Sequence, residues 1–186
     1  MKDTKKRIEF LLKTTERPGI EHLLEWMYNN GFYLAPCSSK YHLAQPGGLA
    51  EHSLNVFENA HAILYALCDG VSTELLHSVI ICSLLHDLGK TGQFGKHNYI
   101  RQIDGETGET SFTTNKELLY IPHEVRSIAI ASQYIYLTEE EQFAILYNNG
   151  LYGELQSVKN HETPLYMILH FADMWASRVT EKEDTK

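Results

Sequence analysis

Apolar positions recur along most of the chain at intervals of three and four residues, the spacing of one helical face. Ile20, Leu23, Leu24 and Met27 form such a stripe after Pro18, which suits a first helical turn, and Gly31 follows as a stop. The period is lost over 32–47, where Pro36, Pro46 and Gly47 read as a loop. A long helix is expected from Leu49 to Leu67, ended by Asp69-Gly70. Ser72 is placed to cap the next helix, whose apolar face runs from Leu75 through Val79, Ile80 and Leu84 to Leu88, stopping at Gly89. Tyr99–Ile103 and Thr110–Thr114, split by the Gly-rich stretch 104–109, read as a small β-hairpin or flap. Pro122 restarts helix. Thr138 with Glu141 forms a capping box for a helix ending near Asn149-Gly150, and Thr163-Pro164 opens the last one. The expected fold class is all-α: one helical domain over 1–186, its core at about 30–180, helices of 1–30 packed on it and a hairpin inserted near 99–114.

Several polar residues break these stripes. Asp173 lies four residues after Leu169 and three before Ala176, on the inward face of the last helix. Asp87 follows Ile80 by seven and Leu84 by three, with His86 beside it about 100° around the helix. His52 follows Leu49 by three and precedes Val56 by four. A buried carboxylate costs several kcal/mol unless it is paired or bound to a metal. A single inward acid is satisfied as easily by an Arg, here Arg126 or Arg178, and a single inward His by a core hydrogen bond. Taken together, two imidazoles and two carboxylates suit one divalent transition ion, Mn, Fe, Co, Ni or Zn.

Composition narrows the class. The 43% hydrophobic and 22% charged fractions are those of an ordinary globular protein, with ten histidines left over for chemistry. The net charge of -8 makes a duplex nucleic acid an unlikely partner and leaves room for a small phosphorylated substrate held by local cations. Cys37, Cys68 and Cys82 share no CxxC spacing and read as reduced thiols. The apolar run behind the charged N-terminus is too short for a signal segment, and no stretch approaches about 18 apolar residues. The expectation is a cytoplasmic protein with no membrane partner; a homo-oligomer stays open.

The ordered set His52, His86-Asp87, Asp173 resembles the HD superfamily of metal-dependent phosphohydrolases, in its bacterial and phage type. Gly47-Gly48-Leu49-Ala50-Glu51-His52 is similar to that family's first-ligand helix, Leu84-Leu85-His86-Asp87-Leu88-Gly89-Lys90 to its central motif, and His170-Phe171-Ala172-Asp173-Met174 to its final ligand helix. The resemblance implies a helical fold around the metal and attack of a metal-bound water on the phosphorus of a phosphomonoester or phosphodiester, with a nucleotide as substrate. Asp87 would be a ligand that also helps deprotonate the water, and Lys90 would contact the phosphate. His123 matches a residue that holds or approaches a second metal, contacts phosphate or acts as a general acid. Asn148 stands where a further histidine is expected. Because Asn is a poor ligand for a transition ion, one tight metal is expected and a second only weakly.

Arg126, one turn beyond His123, is a candidate phosphate clamp, its alternative being an exposed partner of Glu124 or Glu139. His42, Lys96 and His97 are candidate substrate contacts. Tyr99, Arg101 and Phe112 on the hairpin could stack on a base or simply pack across the strands. Two further functions compete with the leading one: an exonuclease-like phosphodiesterase on single-stranded nucleic acid, which would need a basic groove, and a non-catalytic, metal-stabilised nucleotide-binding protein.

Overall fold

The computed structural model describes residues 2–93, 95–150 and 158–182. Among the described residues seven α-helices carry the fold: α1 (Lys2–Thr14), α2 (Ile20–Asn29), α3 (Gly48–Leu67), α4 (Thr73–Leu85), α5 (His123–Ala131), α6 (Glu139–Leu146) and α7 (Pro164–Trp175). Among the described residues there are two antiparallel strand pairs, β1 (Gly92–Gln93) with β2 (Lys96–His97) and β3 (Tyr99–Ile103) with β4 (Thr110–Thr114). The all-α expectation with a small β insertion holds.

Side-chain caps start three of these helices. Ser72 accepts from Leu75 N to start α4, Thr163 accepts from Tyr166 N ahead of Pro164, and Thr138 and Glu141 close the reciprocal box at α6. Helix α3 packs against both α4 and α7, and α6 packs on α7 and α5. Leu49, Val56, Leu84, Leu85, Leu169 and Ala172 meet in one core, which α1 and α2 extend through Ile8, Leu12, Leu23 and Met27. The N-terminal helices are therefore packed on the rest through buried side chains.

Two helices stop sooner than their apolar stripes foretell. Helix α4 ends at Leu85 rather than Gly89; His86 caps it, and a 3₁₀ turn carries Leu88–Thr91. Helix α6 ends at Leu146, short of Asn149-Gly150. In both cases the residues past the stop (Asp87, Asn148) carry buried polar side chains that a continued helix would orient differently. Gly89 is required by close approach: a Cβ there would run into the carbonyl of His123, and Gly89 N donates to Ser127 Oγ at 2.8 Å. This contact seats the 3₁₀ turn against α5. At the far end, α7 passes into a π-helical turn over Ala176–Thr180, closed by Glu181 N donating to Ala176 O at 2.9 Å.

Candidate metal centre

Helix α3 contributes His52, the C-cap of α4 His86, the following residue Asp87, and α7 Asp173. His52 Nδ1 lies 3.0 Å from both carboxylate oxygens of Glu181. A carboxylate only accepts, so this nitrogen carries the proton. His86 Nδ1 donates in the same way to Ser83 O at 3.0 Å. In its neutral form each ring is thereby held in the tautomer that leaves Nε2 with its lone pair, and a cation there would displace a second ring proton. The two Nε2 atoms converge: each lies 3.5 Å from Asp87 Oδ2, and His52 Nε2 lies 3.2 Å from Asp173 Oδ1. His86 Nε2 is fully buried with no hydrogen-bond partner among the described residues.

A buried imidazole nitrogen without a partner is costly, and a divalent cation among two imidazoles and two carboxylates would satisfy it. The donor set fits a transition ion, and His52, His86 and Asp87 present ligand atoms all within 4.8 Å of one another. Glu181 and the Ser83 carbonyl stand in the supporting role usual behind metal-binding histidines. Burial opposes a charge on His52, yet Cys37, Asp173 and Glu181 outweigh it and raise its pKa well above the usual imidazole range. Asp87 is opposed by burial in the same way, but Lys90, His86 and His123 keep it ionised.

The surrounding residues divide sharply. Lys90 Nζ sits 2.6 Å from Asp87 Oδ2 and remains charged despite its burial because Asp87 and Cys37 face it. His123, the first residue of α5, places Nε2 3.1 Å from the other oxygen of Asp87. Asp87 is therefore shared between the imidazole pair on one side and His123 on the other. Asn148 is buried with neither Oδ1 nor Nδ2 bonded among the described residues, and it lines the same cavity as Asp87 and Asp173. His42 approaches from the loop before α3, its Nε2 3.3 Å from Cys37 Sγ and 3.9 Å from Glu181 Oε2.

Other expected contacts are not brought to the centre. Lys96 and His97 lie exposed on β2, Lys96 facing Glu117 at 3.7 Å and His97 lying beside Gly31. Arg126 is neither an exposed partner of Glu124 or Glu139 nor in contact with the cluster; it is buried and donates to Leu119 O at 3.0 Å, pinning the segment before α5. Arg101 lies exposed opposite Phe112 across the hairpin and donates to Thr110 Oγ1 at 3.1 Å, whereas Phe112 is buried and offers no stacking face. Tyr99 does line a cavity beside Lys90.

Sequence reasoning missed three neighbours. Glu181 lies eight residues after Asp173, about 80° around a regular helix; the extra residue of the π-turn brings it back toward the cluster, so no 3.6 period points to it. Cys37 lies in an irregular loop, where no period points inward. It is fully buried; burial pushes its thiol up, but His52, Lys90 and His42 together bring it down to about 6. His170 had a usable signal, three residues before Asp173 on the same helix; its Nδ1 donates to Asn148 O at 2.9 Å and its ring stacks on Tyr166.

This chain is similar to the 3'-5' exoribonuclease YhaM of Geobacillus sp. (strain WCH70), 27% identical over 181 residues, which cover 90% of the chain and 52% of that protein. The chain thus spans about half the length of this curated relative. No protein-family model matches, and no solved structure does. No described helix is long and apolar enough to cross a membrane.

Proposed function

We propose that the chain is a metal-dependent phosphohydrolase of the HD type, acting on a phosphate ester of a nucleotide or a short nucleic acid. The observation that carries this reading is the pair of imidazoles whose Nδ1 protons are committed to Glu181 and Ser83, leaving both Nε2 atoms aimed at Asp87 and Asp173. His52, His86, Asp87 and Asp173 would hold the ion, which supplies a Lewis acid for a phosphate oxygen and lowers the pKa of a water.

The chain's own groups do the rest. Asp87, ionised and in contact with His123 through its other oxygen, would help deprotonate the attacking water. Lys90 delivers a positive charge at the edge of the cluster, where a phosphoryl oxygen would gather negative charge. His123 is 31% exposed and so stands between the cluster and solvent, in position to protonate a departing oxygen. Asn148, whose carboxamide has no hydrogen-bond partner among the described residues, is a poor ligand for a transition ion, and one tight metal is the expected complement.

A second reading, release of nucleotides from the end of a single strand, draws support from the 27% identity with the exoribonuclease YhaM. Metal content is the decisive measurement. Elemental analysis of the native chain is expected to return about one transition ion per chain, lost in His86→Ala and in Asp173→Asn while circular dichroism stays native. Hydrolysis of bis(p-nitrophenyl) phosphate should require the ion. A native chain that takes up none of Mn²⁺, Co²⁺, Ni²⁺ or Zn²⁺ overturns the proposal.

A further inference from the structure

Two cavities of similar size adjoin the metal centre. One of about 780 Å³ lies between the hairpin, the 114–122 segment, the start of α5 and the residues after α6. The other, about 810 Å³, lies between the loop before α3 and the end of α7. Lys90 and Asn149 line both, so the cavities meet beside the ammonium that contacts Asp87.

Their walls differ in chemistry. Tyr99, Leu119, Tyr120, Ile121 and Tyr147 give the first cavity aromatic and aliphatic surface. Tyr120 and Leu119 leave 93% and 82% of their area in water, although each is large and apolar. Apolar surface left open beside a polar cleft marks a place where a ligand is expected. Polar groups share this lining, among them Asn98, Asn115, Lys116, His123 and Glu124, together with Arg126, whose buried Nε has no hydrogen-bond partner among the described residues. The second cavity carries Lys40 and Lys182 around the Asp87 and Asp173 cluster, with Glu181 engaged by His52. With the acids engaged by a cation, its mouth presents positive charge in a chain whose net charge is -8.

A nucleoside monophosphate needs one base pocket beside its phosphate. Two unlike pockets meeting at one lysine fit a phosphate with substituents on both sides. Resting on the function proposed above, we infer that the substrate is a phosphodiester of single-stranded nucleic acid. Its scissile phosphate lies at Lys90, one unstacked nucleobase lies in the aromatic cavity, and the adjoining sugar–phosphate backbone runs along the cationic one. Base–aromatic stacking and cation-lined backbone grooves are the two means by which single strands are held without a duplex. The reaction consumes one water. Its oxygen bonds to phosphorus, one ester P–O bond breaks, the departing oxygen takes a proton, and the new phosphate monoester releases the other.

The test is a calorimetric titration of the whole Mn²⁺-loaded chain. The ligands are a hydrolysis-resistant phosphorothioate ApA dinucleotide, its two analogues lacking one base or the other, and AMP. One of the two base deletions is expected to weaken binding about tenfold, the order of a single base–aromatic stack. AMP should bind more weakly than the dinucleotide. In Tyr120→Ala and Leu119→Ser, both at exposed positions that leave the core intact, the penalty for that deletion should shrink to about twofold, because side chain and base form one contact. Intact and base-deleted dinucleotides binding equally well to the native chain, or AMP binding as tightly as the dinucleotide, would overturn the two-cavity assignment. Binding is read here without turnover. Failure of the parent function would appear separately, as absence of metal uptake or of diester hydrolysis.

Discussion

At the scale of single residues, the centre depends on proton placement as much as on ligand identity. Glu181 has both oxygens on His52 Nδ1 and one of them on Asn55 Nδ2 at 2.9 Å, which fixes the ring without touching the ligand position. Glu181→Ala is expected to weaken Mn²⁺ binding about 10- to 100-fold, read by competition with a metallochromic chelator. Glu181→Gln, which keeps an acceptor but loses the charge, should fall between. Equal affinities in all three proteins would reduce Glu181 to a packing residue. The inward positions of His52, His86, Asp87 and Asp173 were legible because a charged or imidazole side chain on an apolar helical stripe stands out against its neighbours. Glu181 was not, since the π-turn shifts it out of register, and Cys37 was not, since a loop has no period to violate. Proximity in sequence to the His86-Asp87 motif did not reveal that Lys96 and His97 lie exposed on β2.

Elements are fixed by local chemistry that was mostly readable, and one such device also ties the fold together. Glu141 closes the capping box of α6, receives both Arg17 guanidinium nitrogens at 2.9 and 2.8 Å, and accepts from Ser78 Oγ at 2.8 Å. Its carboxylate is fully buried, so burial raises its pKa, but Arg17, the Thr138 amide and Ser78 prevail and hold it below the ordinary 4.5. Glu141→Gln should cost about 3 kcal/mol near neutrality, the lower end for breaking a buried pair, because Arg17 keeps partial access to water. A depressed pKa gives stability that is complete above the unfolded value of about 4.3 and is lost as pH falls through the folded one. The gap in melting temperature between native chain and variant should therefore be widest at neutral pH and narrow below about pH 4.3. A constant gap would show that the charge is not what matters. The box was readable from Thr138 and Glu141 alone. Arg17, more than 120 residues away, was not, because no local pattern records which distant cation will meet a cap.

For the whole molecule, the centre is where α3, the end of α4, α5 and α7 meet, so a bound ion would cross-link elements distant in sequence. Free Mn²⁺ at about 100 times its dissociation constant would add about 2.7 kcal/mol. For a chain of this size that raises the melting temperature by about 5–10 °C. EDTA should reverse the shift, and Asp173→Asn should show none; an equal shift in that variant would place the ion elsewhere. The helical class was legible from periodicity, and the hairpin from its change of period. The two cavities were not, because each is assembled from segments that only tertiary packing makes neighbours. The His52–Glu181 contact joins residues 129 apart. Synthesis runs from the N-terminus, so a growing chain can bury α1 to α4 long before Glu181 emerges. His52 would wait without its carboxylate while the next 129 residues are made, so the support behind this ring is completed late in the synthesis of the domain.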